Sequence, residues 1–183
     1  VWLATPRGLY RHDPSTDAWT RFGKKDGLPT EYTTALEVVG DALWVGSSRG
    51  LSRVRASGRG VTLDVDRLGS DATHVTALAN VGDTLYVGTA DGLHSRDADG
   101  VYQPVADAHH RIIGLTAGRN GLLVAADDGA YSLDPQSGRI TPIWTESPAR
   151  AIAQAGGAVW LGTDAGLVRV DSASGATTVT VGG

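Results

Sequence analysis

One phrase recurs five times along this chain of 183 residues: "VWLATPRGLYRH", "ALWVGSSRGLSRV", "TLYVGTADGLHS", "GLLVAADDGAYS" and "AVWLGTDAGLVRV". With the aromatic or Leu taken as anchor, the copies sit at Trp2, Trp44, Tyr86, Leu123 and Trp160, separated by 42, 42, 37 and 37 residues. A Gly stands six residues after every anchor (Gly8, Gly50, Gly92, Gly129, Gly166), and an aliphatic stands eight before each of the last four (Leu36, Leu78, Leu115, Ile152). A register held over five copies marks a repeat architecture, in which each unit buries its apolar face only against its neighbours.

Punctuation inside one period divides it into four extended segments. In the second copy "TTALEVV" ends at Gly40-Asp41, "ALWVGSS" ends at Arg49-Gly50, "LSRVRA" ends at Ser57-Gly58, and "VTLDVDRL" follows. Each has strand length, with β-branched or alternating apolar residues between turn formers. We denote them a, b, c and d. Composition agrees, since the chain holds 25 Gly, and Asp outnumbers Glu by 17 to 3. "SPARAIAQA" has the Ala content of a helix, but Ile152 falls in the register of the strand-a Leu residues, so a strand is predicted there.

Four antiparallel strands every 37 to 42 residues predict an all-β chain of β-propeller blades, forming a single propeller domain, or part of one, over residues 1–183. The anchors should fill the gaps between blades. The first Gly of the phrase (Gly46, Gly88, Gly162) should admit another backbone closely, and the second should take a positive φ before strand c. Ala35, Ala77, Gly114 and Ala151 are small where the innermost strands crowd together. The first copy begins at strand b, and "TTVTVGG" supplies the d strand of the last. One blade therefore has three strands, or further blades lie outside this sequence, the reading preferred here.

Several classes of function are disfavoured. A net charge of −4 without a basic block argues against nucleic acid as a partner. No apolar run has the length to span a membrane, and the N-terminus does not resemble a signal peptide. Without Cys, neither disulfides nor thiolate metal sites can form. A first residue Val1 in a chain lacking Met implies processing, excision, or partial representation of a longer sequence.

The stretch from Trp2 to Val54 resembles the two-component regulator propeller repeat. Trp2, Thr5, Gly8-Leu9, Tyr10, Asp13-Pro14 and Asp26-Gly27-Leu28-Pro29 match that family's pattern in order. Later copies depart from it: none repeats Asp-Gly-Leu-Pro, the second has Arg55 in place of an Asp, and the fourth has Leu123 for Trp and Gly129-Ala130 for Gly-Leu. The resemblance implies a propeller, often of seven blades, in the extracytoplasmic sensor part of bacterial regulators. It thereby implies a periplasmic or extracellular location, with a transmembrane segment and kinase in other parts of such proteins.

Loops joining d to a and b to c gather on one face of a propeller, where ligands meet them. The register points to Tyr32, His74, Arg111 and Pro148 before strand a, joined by Glu31, His110 and Arg150. Arg7, Arg49, Asp91, Asp128 and Asp164 occupy the b–c turns. Of these, Glu31, Tyr32, Arg49, His74, His110, Arg111 and Arg150 are the candidate ligand-binding residues. Adjacent residues on an extended segment point oppositely, so His109-His110 is a poor chelate and only His110 is expected to face the channel. "DADG" and "ADDG" lack the alternating oxygen ligands of a calcium loop and read as turns, as do "DPSTD" and "DPQSG" on the far face. No metal site or cofactor is predicted. Lys24-Lys25 reads as a solvated pair; Trp19 and Trp144, on outer d strands, are candidate protein contacts.

Three functions remain. A non-catalytic module that binds a small solute, such as a saccharide, or a protein partner, and reports it, is preferred. A structural platform in a larger assembly is the alternative. An enzyme would need an acid–base pair such as Glu31 with His74 or His110, and no nucleophile elbow or triad is apparent in the sequence.

Overall fold

The computed structural model describes residues 1–57, 60–66, 74–108 and 110–171, and apart from a 3-10 turn at Lys24–Asp26 all their regular structure is β-strand. Chain order is kept in every sheet, so each is an antiparallel meander. The first contains β1 (Trp2–Thr5), β2 (Gly8–Asp13) and β3 (Ala18–Phe22), which are strands b, c and d of the first copy. The second contains β4 (Thr33–Val39), β5 (Ala42–Ser47), β6 (Gly50–Ser57) and β7 (Gly60–Asp66). In the third are β8 (Val75–Val81), β9 (Thr84–Thr89), β10 (Gly92–Arg96) and β11 (Tyr102–Pro104). The fourth holds β12 (Ile112–Gly118), β13 (Gly121–Ala126), β14 (Gly129–Leu133) and β15 (Ile140–Trp144). The fifth shows β16 (Ala149–Ala155), β17 (Ala158–Thr163) and β18 (Gly166–Asp171).

These are propeller blades in the predicted register. The Ala-rich segment around Ile152 is strand β16, paired with β17, so the repeat prevails over helix propensity. The expected d strand in "TTVTVGG", the end of "VTLDVDRL", and His109 lie outside the described residues. Among the described residues no helix is long and apolar enough to cross a membrane.

Two compact units are distinguished, Val1–Leu78 and the chain from Ala79 onward. Within the first, the seam between the first and second blades is filled by Leu9, Leu43, Val45 and Val54, with Trp2 and Phe22 against them. Within the second, Ala79, Tyr86 and Leu93 of the third blade meet Leu122, Val124, Ala126 and Leu133 of the fourth. Leu123, Ala125 and Trp144 of the fourth blade then meet Val159, Leu161, Val168 and Val170 of the fifth. Alternation along strand b explains the pattern, since successive side chains leave opposite faces of a sheet. Leu123 therefore points to the fifth blade while Leu122 and Val124 point back to the third. Each fully buried Leu or Val contributes on the order of 1.5–3 kcal/mol.

The small residues follow from the same packing. Ala35 pairs with Gly46, Gly114 with Ala125, and Ala151 with Gly162 across strands a and b. A Cβ placed on Gly46 would sit 2.5 Å from Val75 Cγ1 and 3.3 Å from Ala35 Cβ. The Gly that opens strand c has positive φ in all five copies, from 107° at Gly50 to 157° at Gly129, as the turn requires. Gly46→Ala is therefore expected to cost about 1–3 kcal/mol by forcing the stiff Val75 aside. Urea unfolding of the variant measures this, and an unchanged midpoint would contradict the close approach.

Candidate functional site

A hydroxyl three residues after the anchor closes the b–c turn in four of the five blades. Thr5 Oγ1 donates to Gly8 O at 2.8 Å and accepts the Arg7 N–H at 3.1 Å. Ser47 does the same with Gly50 O and Arg49 N–H at 2.8 and 3.2 Å, and Thr89 with Gly92 O and Asp91 N–H at 2.8 and 3.1 Å. Thr163 bonds Gly166 O and Ala165 N–H at 2.9 and 3.2 Å. Each such bond contributes on the order of 1 kcal/mol and fixes the turn without using the side chains at its tip. The fourth blade has Ala126 at this position.

The segments entering strand a lie against these turns. Ser48 N–H donates to Tyr32 O and Asp127 N–H to Arg111 O, both at 3.1 Å. Register shifts between Thr33 and Ala35, Ile112 and Gly114, and Ala149 and Ala151 place one extra residue at the start of strand a. Such bulges re-aim a side chain. In the second blade Thr34 Oγ1 thereby reaches Val75 O at 2.7 Å. In the fifth, Arg150 turns to Asp164 and makes a bidentate pair, Nε to Oδ1 at 3.0 Å and Nη2 to Oδ2 at 2.8 Å. That hydrogen-bonded pair holds the Arg150 guanidinium above its ordinary pKa and the Asp164 carboxyl below its own.

In the first unit, Tyr32, Arg7 and Arg49 are exposed and His74 is half-buried. Glu31 forms an ion pair with Arg21 and accepts the Lys24 N–H at 3.3 Å, while Arg21 Nε also donates to Arg7 O at 2.6 Å. Glu31 thus ties the first blade's outer strand to the following loop, and no hydrogen bond joins it to His74 among the described residues. Trp19 is 52 % exposed and Leu3 45 %. With Tyr10 and Pro6 they line an open apolar hollow on the first blade.

Trp144 corrects an expectation. It ends the outer strand β15, but a register shift between Ala130 and Tyr131 turns it inward, and it is 8 % exposed among Ala149, Val159 and Leu161. Its indole N–H donates to Ser147 Oγ at 3.3 Å, so this Trp seals a seam and offers no outer contact.

The second unit holds a cluster that the sequence reading kept apart. His110 Nδ1 lies 3.1 Å from Asp128 Oδ2, and the Tyr131 hydroxyl donates to the same oxygen at 2.5 Å. The His110 and Tyr131 rings stack at 6.0 Å and 11°. Asp127 completes a trio of ligand-bearing side chains with His110 and Asp128. Arg111 is exposed beside them. Below, Leu93, Ala108, Ile112, Val124, Ala126 and Ile140 line a narrow apolar cleft, with His110 and Tyr131 at its edge. The available signal was the fourth copy's triple departure from the repeat, at Leu123, Ala126 and Ala130.

No protein-family model matches the sequence, and no curated protein matches it significantly. Solved structures do. The chain is similar to the extracellular domain assigned to a hybrid two-component system of B. thetaiotaomicron, BT3049, with a TM-score of 0.82 and 17% identity, over 100% of this chain and 27% of that one. A second extracellular domain from B. thetaiotaomicron, BT4673, described as that of a one-component system, gives 0.77 at 22% identity over 92% of this chain and 25% of that one. Dihydro-heme d1 dehydrogenase NirN gives 0.70 at 17% identity, over 100% of this chain and 44% of that one. The chain thus spans about a quarter of the two extracellular domains it matches. Identities of this size establish the fold, a run of β-propeller blades, which serves sensors and an enzyme alike.

Burial, then the hydrogen bond to Asp128, pushes the Tyr131 hydroxyl up to about 12. An unfolded Tyr ionises near 10. The native state therefore holds the proton more tightly, and the resulting stability is complete below about pH 10 and lost as pH rises towards 12. Tyr131→Phe is expected to flatten the fall in urea midpoint between pH 10 and 12; parallel pH profiles for parent and variant would disprove the contact.

Proposed function

We propose that the chain is a non-catalytic sensory module of an extracytoplasmic regulator, binding a small polar solute of the saccharide class where the b–c turns meet the segments entering strand a. One observation carries this reading: the blade ends share one backbone scaffold but carry side chains that do not repeat. Tyr32 and Arg49 stand there in the first unit, and Arg111 and His110 in the second. Exposed aromatic and guanidinium groups on a rigid scaffold suit stacking against, and hydrogen bonding to, a polyhydroxylated solute. The likeness to extracellular domains of bacterial signalling systems supports the location and the sensory role. Against an acid–base enzyme stands the engagement of Glu31 by Arg21. Calorimetry with a panel of oligosaccharides is expected to find saturable binding that Tyr32→Ala, at the first unit, or Arg111→Ala, at the second, weakens about tenfold without moving the thermal midpoint. Parent-like binding by both variants would remove the assignment.

The hollow around Leu3 and Trp19 supports a second reading, a protein-contact surface. Val1 and Leu3 occupy the strand-b positions that Leu43 and Val45 hold in the second blade, and those are buried against a neighbouring sheet. The surface that fits it is therefore the apolar face of another β-sheet.

A further inference from the structure

We propose that the seam between the fourth and fifth blades is a binding cleft for a small amphipathic carboxylate. The apolar body lies between the two sheets, and the charge meets the guanidinium groups of Arg119 and Arg139. The seam holds a cavity of about 580 Å3, the size of a small-molecule site. Its mouth is bordered by Arg119 and Asn120 of the a–b turn and by Asp134 and Arg139 of the c–d turn, at the end of the blades opposite the b–c turns.

The repeat shows what is missing there. Wherever the anchor is Trp, an Arg on strand c pairs with it across the sheet and lies over its ring: Arg11 on Trp2, Arg53 on Trp44 and Arg169 on Trp160, at 5.8, 5.7 and 5.8 Å from the ring centre. The fourth blade instead pairs Leu123 with Ser132 and Ser132 with Thr141, so the face it turns to the fifth lacks that bulk. Across the seam stand Val159 and Val170, where the fourth blade presents the larger Leu122 and Leu133 to the third. The third blade pairs Tyr86 with Ser95, but its ring fills the space and is 4 % exposed. Small residues on both sides thus leave the seam between the fourth and fifth blades hollow. Close-packed interiors hold few voids larger than a water molecule, so a space of this size is exceptional.

Charge at the mouth selects the ligand. Leu123, Ile143, Val159 and Val170 supply apolar walls. The acidic groups beside them are engaged within the protein. Asp171 accepts from Arg169 at 2.6 Å, and Asp134 accepts from the Ser137 hydroxyl at 2.6 Å and the Gln136 N–H at 2.9 Å. Arg119 and Arg139 are exposed, and among the described residues neither has a carboxylate partner. Gln154 Oε1 accepts the Arg119 backbone N–H at 2.7 Å, which ties the a–b turn to β16 and leaves the guanidinium free. In a chain of net charge −4, two unpaired guanidinium groups at the mouth of an apolar cleft suit an anion with a planar carboxylate.

Calorimetry of the full chain with 4-phenylbutyrate and with its neutral amide tests the cleft. Saturable binding of one carboxylate per chain is expected, with the amide about tenfold weaker for want of the charged hydrogen bonds. Arg119→Ala and Arg139→Ala should each weaken the carboxylate about threefold or more and leave the amide unchanged. Ser132→Arg restores the residue that stands opposite every Trp anchor. It should abolish binding of both probes while the thermal midpoint stays at or above that of the parent. The proposal is overturned by a parent that shows no saturable binding, by equal affinity for carboxylate and amide, or by parent-like binding in a folded Ser132→Arg. Parent-like carboxylate binding in both Arg119→Ala and Arg139→Ala overturns it as well, and these exposed positions keep the test decisive should Ser132→Arg fail to fold. The probes carry no hydroxyl group, and the cleft lies at the other end of the blades from the solute site, so the two readings stand or fall separately.

Discussion

Every blade depends on the two-faced second strand. Because its side chains alternate, the anchor residue and the residues flanking it leave opposite faces, and in the fourth blade one strand thereby joins its sheet to both the third and the fifth. A slip of one residue would exchange the two sets and put the wrong volume into both seams. The constraint explains why the repeat keeps an aromatic or Leu at one position and aliphatics on either side of it. It also explains the first blade, where Val1 at 71 % exposure and Leu3 stand at positions whose equivalents in the second, fourth and fifth blades are buried against a partner sheet. Chemically the positions are equivalent; they differ only in what covers them.

A rigid seam alone would leave the blade ends undefined, and the hydroxyl latch supplies the missing order. By satisfying a carbonyl and an N–H within the b–c turn, Thr5, Ser47, Thr89 and Thr163 leave the tip side chains without a structural duty. Those side chains are then able to vary. Arg150 and Asp164 show the alternative, two tip residues engaged with each other, and at an exposed site that pair adds little stability.

The fold was legible in the sequence because it is written five times over, and averaging over copies suppresses local ambiguity. Ile152 read as strand for that reason, and the positive φ at Gly8, Gly50, Gly92, Gly129 and Gly166 followed from the turn they share. The site was legible only in outline, since register names the residues at a blade end but not their partners. Glu31 is an example: its partner Arg21 comes from the preceding blade's outer strand, a relation no spacing within one copy encodes. Trp144 is another, because a local register shift reverses the face that strand alternation assigns to it. The register names His110 as a candidate at the channel and places Asp128 in the b–c turn, but nothing in their spacing pairs the two. Their meeting depends on the pairing of β12 with β13, which brings the entry to one strand against the exit of the next.

The fourth turn bears on what a departure from a repeat means. If Ala126 merely lost a hydroxyl, the cheapest repair would be neutral and local, through another side chain bonding the Gly129 carbonyl. The chain instead carries two adjacent carboxylates, a phenol held as a donor to one of them, and an imidazole at contact distance. Asp127 and Asp128 repel each other, and the Tyr131 hydroxyl satisfies only one of the two Asp128 oxygens. His110 approaches this charge from the entry to β12, so the fourth turn is held by exposed side-chain contacts where the other four blades use the hydroxyl latch, and such exposed pairs add little stability.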